Sequence, residues 1–253
     1  MKLELVTHCW SGSDVPIYHA LLKLQYMSLL CADVSRVDVT HTLVFCSDED
    51  PLTLQVLREM TPHVEDAGIR CKFIDLAPKL LFQRAAGRNM AALASEADVV
   101  WFTDADYLFP GQCLQQAAEA STKSEAVLVW PRRVNVHRTH DFGDRLIQDV
   151  IADRPVQFNF KEEFTGRREN RAIGGIQIIN GDWCRANGYL KDTKWTKPST
   201  REGFLTCNCD VAFRRQIDTM ARTAVIIPDV YRVRHSRTGR DGGKKDHGER
   251  TRV

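Results

Sequence analysis

Asp98-Val-Val-Trp-Phe-Thr-Asp-Ala-Asp-Tyr-Leu-Phe109 is the stretch whose reading decides the fold. Its short apolar run predicts a strand over Val99 to Thr103, buried on both faces. Asp104 and Asp106 follow at once, and on an extended segment side chains on either side of a one-residue spacer point the same way. Two carboxylates therefore emerge together where a buried strand reaches the surface. Paired hard oxygen ligands of this kind suit Mg²⁺ or Mn²⁺ carrying a diphosphate.

Upstream, the pattern alternates. Leu3 to Trp10 reads as a strand, Pro16 to Leu30 as a helix with proline in its opening turn, and Val39 to Cys46 as a second strand. Pro51 to Met60 predicts a helix, Cys71 to Leu76 a strand, and Gln83 to Ala97 an alanine-rich helix leading into the aspartate strand. Strands alternating with helices imply an α/β fold with a mainly parallel sheet covered on both faces. In such sheets ligands bind beyond the carboxyl ends of the strands, which gathers Thr7 to Trp10, Ser47 to Asp50, Leu76 to Lys79 and Asp104 to Asp106 along one crevice.

Downstream the rhythm loosens. Gln112 to Ser121 reads as a helix and Ala126 to Trp130 as a further strand, after which Arg132 to Arg171 is less regular and is expected to form acceptor-side structure. Gly174 to Asn180 reads as a glycine-led strand, Asp182 to Asn187 as a short helix, Cys209 to Met220 as a longer helix, and Thr223 to Pro228 as a last strand. The division expected is a single catalytic domain over 1–253. Within it, 1–130 form the nucleotide-binding half, 131–230 the acceptor half, and 231–253 a basic C-terminal segment.

Composition narrows the classes. The 253 residues, 43% of them hydrophobic and 27% charged, suffice for a sizeable core, and a net charge of only +2 argues against nucleic-acid binding as the main role. The 8 cysteines are scattered without a disulfide or zinc-knuckle spacing, which points to reduced thiols and a cytoplasmic location. No signal peptide or membrane-spanning run of roughly 18 apolar residues is read.

Gly87-Arg-Asn89, Asp104-Ala-Asp106, Gly174-Gly-Ile-Gln177, Cys209-Asp210 ahead of Arg214, and His235 occur in an order that resembles a GT-A fold glycosyltransferase of the family-two and galactosyltransferase-like inverting type. The resemblance implies a Rossmann-like sheet flanked by helices, with a smaller acceptor-side region. It also implies a metal-dependent hexosyltransferase that moves a hexose or N-acetylhexosamine from a UDP-sugar to a hydroxyl on a saccharide, lipid, protein or modified-DNA acceptor. Site residues follow from the same likeness. Asp106 would bind the metal, with Asp104 reaching the ribose or the metal's waters and His235 completing the ligands; Arg84, Arg88 and Arg237 would contact the donor.

Asp210, opening a helix one turn before Arg214, is the base implied for the acceptor proton; the neighbouring position, acidic in the family, is Cys209 or Asn208 here, and an N-cap role for Asp210 stands beside the catalytic one. Glu163 and Asp182 are fallback bases. Thr7, His8 and Asp48 (or Asp50) are expected near the nucleotide base. Gly174, Gly175, Gln177 and Trp183 are expected at the acceptor. Transfer to modified DNA bases, as in phage DNA glycosylation, is an alternative drawing on Arg132-Arg133 and Arg167-Arg168; a nucleotidyltransferase lacks the basic phosphate loop after the first strand, and a nucleic-acid-binding module is the third reading.

Overall fold

The computed structural model describes residues 1–11, 17–198 and 208–236. Strand β1 (Lys2–His8) is followed by helix α1 (Tyr18–Leu29), β2 (Asp38–Phe45), α2 (Pro51–Asp66), β3 (Ile69–Asp75), a single turn α3 (Pro78–Leu81), α4 (Arg84–Ala94) and β4 (Val99–Phe102). Then come β5 (Tyr107–Leu108), α5 (Cys113–Lys123), β6 (Leu128–Pro131), β7 (Arg133–His137), α6 (His140–Ile151) and β8 (Phe164–Arg168). The remainder comprises β9 (Gln177–Asn180), α7 (Gly181–Asn187), α8 (Cys209–Gln216), β10 (Arg222–Val225) and β11 (Tyr231–Arg232).

Seven strands form the main sheet in the order β10-β6-β9-β4-β1-β2-β3. All its pairings are parallel except those of β9, which runs against both β4 and β6. All four residues of β4 are buried, as a central strand covered on both faces requires. On one face α1, α2 and α5 place Leu22, Tyr26, Val56, Met60, Leu114 and Ala118 against Leu3, Leu5 and Trp101. On the other, α3, α4, α7 and α8 place Leu81, Ala85, Ala92, Cys184 and Phe213 against Val6, Val100 and Phe102. Each such fully buried apolar side chain contributes about 1.5–3 kcal/mol.

Two boundaries differ from the sequence expectation for physical reasons. Helix α2 runs on through Pro62 to Asp66, with the fully buried Val64 anchoring its last turn. Helix α8 stops at Gln216, and a separate 3₁₀ turn over Thr219–Ala221 begins where the Asp218 side chain accepts the Met220 amide. The region 132–171, read as irregular, holds β7, α6 and β8. With β5 and β11 these strands build a second sheet in the order β5-β11-β7-β8. Leu146, Ile147 and Val150 of α6 pack with Phe164 and Val233 against Ala20, Leu21 and Leu24 of α1, so the small sheet is fastened to the main body.

Six cysteines, Cys9, Cys31, Cys46, Cys71, Cys113 and Cys184, are free thiols; Cys207 lies outside the described residues. Among the described residues no helix is long and apolar enough to cross a membrane.

Three histidines, His8, His41 and His137, are buried in this framework. Burial lowers His41 to about 3, and burial followed by the nearby Arg145 cation lowers His137 to about 4. Their unfolded values lie near 6.5. The unfolded chain therefore binds more protons than the folded one between the two limits, and stability falls as pH drops below about 6.5, by up to about 1.4 kcal/mol per pH unit for each histidine. The urea midpoint is expected to decline from pH 7 to pH 4.5, and a His41→Gln variant is expected to show a shallower decline; identical slopes would contradict the assignment.

Candidate active site

The crevice lies at the carboxyl ends of β1, β2, β3 and β4. Because β9 runs backwards, it presents its beginning there: Gln177 pairs with Phe102 at the end of β4, whereas Asn180 pairs with Val99 at its start. The segment Gly174–Ile176, a 3₁₀ turn rather than the start of a strand, therefore faces the aspartates.

Asp104 accepts hydrogen bonds from Arg88 Nη2 at 3.0 Å and Arg84 Nη1 at 3.3 Å through the same oxygen. The two arginines sit one helical turn apart at the start of α4, so both reach the strand tip. Arg88 is only 1% exposed; its Nη2 also donates to the Thr103 carbonyl (3.2 Å) and its Nη1 to the Tyr189 hydroxyl (3.1 Å), while its Nε is buried with no hydrogen-bond partner among the described residues. Its guanidinium also lies 5.4 Å from the Tyr189 ring centroid and 5.9 Å from that of Phe102. The Tyr189 hydroxyl donates to Gln177 Oε1 (2.9 Å), and Gln177 Nε2 donates to the Asp210 carbonyl (3.2 Å). A continuous relay thus joins Asp104, Arg88, Tyr189, Gln177 and Asp210.

Gly174 sits inside this arc. A Cβ there would lie 3.5 Å from Asp210 Cβ, 3.8 Å from Arg88 Nη1 and 3.9 Å from Asp104 Oδ2. Asp104 and Asp210 consequently flank one small open position. Asp210 lies in the first turn of α8, and the N-cap residue is Asn208.

Asp106 is held from the far end of the chain. Arg232 Nε donates to its Oδ2 at 2.8 Å and the Val233 amide donates to its carbonyl at 2.8 Å. Asp106 holds the Arg232 guanidinium above its ordinary pKa, and the same guanidinium lies 5.3 Å from the Tyr107 ring centroid. The other carboxylate oxygen of Asp106, Oδ1, is buried with no hydrogen-bond partner among the described residues. An orphaned carboxylate oxygen is what a hard divalent cation takes. Among the described residues no three His, Cys, Asp or Glu side chains stand together as a ready-made ion site. Asp104 and Asp106 fit a cation whose remaining ligands are phosphate oxygens and water, the usual state of Mg²⁺. His235 follows Arg232 by three residues; its Nδ1 contacts the Ser236 carbonyl at 2.9 Å, which leaves Nε2 for any ion.

His8 is buried beside these groups. Burial first, then the Arg88 and Arg84 cations, push its pKa well below the ordinary value, so it faces the site as a neutral ring. Gly87 allows this approach, since a Cβ there would come within 2.5 Å of His8 Nε2.

Other expected site residues are placed differently. Thr7 is fully buried and its hydroxyl donates to Gln25 and meets His41 Nε2, so it does not flank a nucleotide base. Asp48 is exposed on the turn after β2, while Asp50 caps α2 and accepts the Ser11 amide at 2.7 Å. Asn89 accepts the Tyr189 amide (2.9 Å) and so fixes the turn at Gly188, whose φ is +65°. Gln177 is fully buried as the middle of the relay rather than open to an acceptor. Gly175 serves packing: a Cβ there would meet the Tyr107 ring at 2.2 Å. Trp183 follows Asn180 at the opposite end of the sheet and packs edge-on against Phe213 at 5.8 Å, away from the crevice. Of the fallback bases, Asp182 pairs with Arg185 beside Trp183 and Glu163 pairs with Arg145. Arg237 lies outside the described residues.

With this geometry in view, the comparisons can be read. The model of glycosyl transferase family 2 matches residues 46–186, more than half of the 253-residue chain, and the chain belongs to that family. The match contains Arg84, Arg88, Asp104, Asp106 and Gly174 and stops before Asp210 and Arg232. The crystal structure of S. aureus TarS superposes with a TM-score of 0.51 at 14% identity, covering 92% of this chain and 36% of TarS. TarS residues 1–349 in complex with UDP-GlcNAc give a TM-score of 0.51 at 13% identity over 91% of this chain and 58% of that one. The galactosyltransferase LgtC with donor and acceptor sugar analogues gives 0.49 at 12% identity over 88% of this chain and 73% of that one. The chain thus spans about a third of TarS. No curated protein matches it. The fold is the GT-A type.

Removing Arg88 tests the relay. Arg88→Met removes one of the two arginine donors to Asp104, leaves the buried Thr103 carbonyl and Tyr189 hydroxyl short of a donor, and is expected to cost about 2–4 kcal/mol. Arg88→Lys is expected to recover less than half, because an ammonium cannot serve partners in separate directions at once. Urea denaturation of both variants measures this, and a loss below about 1 kcal/mol in Arg88→Met would show the relay to be unimportant.

Proposed function

We propose that the protein is a glycosyltransferase that moves a hexose or N-acetylhexosamine from a UDP-sugar to an acceptor hydroxyl with inversion, using Mn²⁺ or Mg²⁺. The observation that carries this reading is the position of Gly174, with Asp104 on one side and Asp210 on the other. Family membership and the GT-A fold support it, and the likeness to TarS with UDP-GlcNAc bound supports a UDP-sugar as donor.

In this reading the donor diphosphate lies at the strand tip. Asp106, with Asp104 and His235, would hold a divalent cation, which would supply positive charge to offset the negative charge developing on the leaving diphosphate. Arg84 and Arg88 orient Asp104. In this reading the neutral His8 ring borders the donor without adding charge, and Asp48, exposed on the turn after β2, meets the nucleotide base. Asp210 takes the proton from the acceptor hydroxyl as its oxygen bonds to the anomeric carbon. The bond from that carbon to the diphosphate oxygen breaks, and its electron pair leaves with UDP. A small open position at Gly174 lets the acceptor approach from the side opposite the leaving group, as inversion demands.

Two variants separate the roles. Asp106→Ala is expected to abolish the Mn²⁺-dependent thermal shift given by UDP, whereas equal shifts in wild type and variant would remove Asp106 from the metal. Asp210→Asn is expected to keep that shift while lowering kcat about 10³-fold, within the usual range for loss of a general base. A kcat within about threefold of wild type would show that another group takes the proton.

A further inference from the structure

The segment that leads into Gly174 carries a feature that the donor site does not use. A cavity of about 430 Å³ is lined by Arg167, Arg168, Glu169, Asn170, Arg171 and Ile173, large enough for a small ligand. Its lining holds three arginines against one glutamate, and that glutamate is already committed: the buried Glu169 carboxylate accepts Arg167 Nε at 2.8 Å and Nη2 at 2.6 Å. Arg168 and Arg171 form no ion pair among the described residues. Arg133 stands directly across the strand pair from Arg168, and like charges in that register repel. Arg214, whose Nη1 donates to the Ala172 carbonyl at 2.8 Å, adds a further cation behind the loop; burial, then Arg171, lowers its pKa. These arginines are short of an anion.

The cavity also borders the reaction point. Ile173 lines it, and the next residue is Gly174, 3.5 Å by its Cβ position from Asp210. Arg171 is three residues from Gly174, so their Cα atoms are at most about 11 Å apart, within one sugar ring and its substituent.

We propose that this cavity binds a phosphate group of the acceptor, and that the acceptor is a sugar phosphate or polyol phosphate whose hydroxyl lies at Asp210. The inference rests on the transferase reading above. The phosphate takes no part in bond making; planar guanidinium groups hold it through charge-assisted hydrogen bonds. A sugar or polyol phosphate is favoured over single-stranded nucleic acid, because no aromatic side chain is among the described lining residues to stack a base.

Calorimetric titration of the full chain, saturated with UDP and Mn²⁺, tests this. Glucose 6-phosphate and glycerol 3-phosphate are expected to bind, and glucose and glycerol are not. Arg168→Gln/Arg171→Gln is expected to weaken phosphate-ester binding about tenfold or more while UDP affinity stays unchanged. Unchanged affinity in the double variant, or a short oligothymidylate binding more tightly than either ester, would overturn the proposal. Should the double variant fail to fold by circular dichroism, Arg171→Gln alone and the salt dependence of wild-type binding carry the same test: affinity that does not fall with added salt would refute it. If wild-type protein does not bind UDP, the donor reading fails, and titration of the ligand-free chain still decides the cavity.

Discussion

A guanidinium withdrawn from water costs free energy unless its donors are met, and Arg88 meets that demand through Nη1 and Nη2, with Nε unpartnered among the described residues. Its partners come from the end of β4, from the carboxylate beyond it and from the turn at Gly188–Tyr189. Satisfying one side chain therefore fixes three stretches of backbone against one another. Tyr189 passes the constraint to Gln177, and Gln177 passes it to the helix start that carries Asp210. Asp104 and Asp210 are held in one frame by polar groups that are themselves out of contact with solvent.

The reversal of β9 determines what that frame encloses. A strand parallel to its neighbours would bring its last residue to the crevice, followed by a loop; a reversed one brings its first, preceded by the 3₁₀ turn Gly174–Ile176. Two glycines meet two different needs there. Gly175 lets the Tyr107 ring lie flat against the backbone, and Gly174 leaves the gap between the two acids. The relay approaches that gap from behind, so its front remains open.

The parallel rhythm of β1 to β4, the alanine-rich α4 and the paired aspartates were legible in the sequence, because period and apolarity report burial and the aspartates follow a buried run directly. Arg88 was legible as an expected donor contact but not as a hub, since Tyr189 lies a hundred positions away and nothing local marks it. Trp183 lies away from the crevice because alternation identifies a strand but not its direction, and direction decides which end meets the crevice; Gln177 does reach that end but is buried in the relay. The amphipathic stripe Leu146, Ile147 and Val150 of α6 was present in the sequence, yet the strands beside it, with β8 exposing all but Phe164, gave too weak an apolar pattern to frame it. Asp48 and Asp50 were indistinguishable by position; the proline after Asp50 marks it as the cap.

Asp106 is bound by both the side chain of residue 232 and the backbone of residue 233, across 126 positions of sequence. Such a contact closes a long loop, and the entropy of closing it makes pairings of high sequence separation slow to form. The core of the sheet gathers from nearer partners, so the carboxylate at residue 106 gains its counter-charge only when Arg232 docks against it.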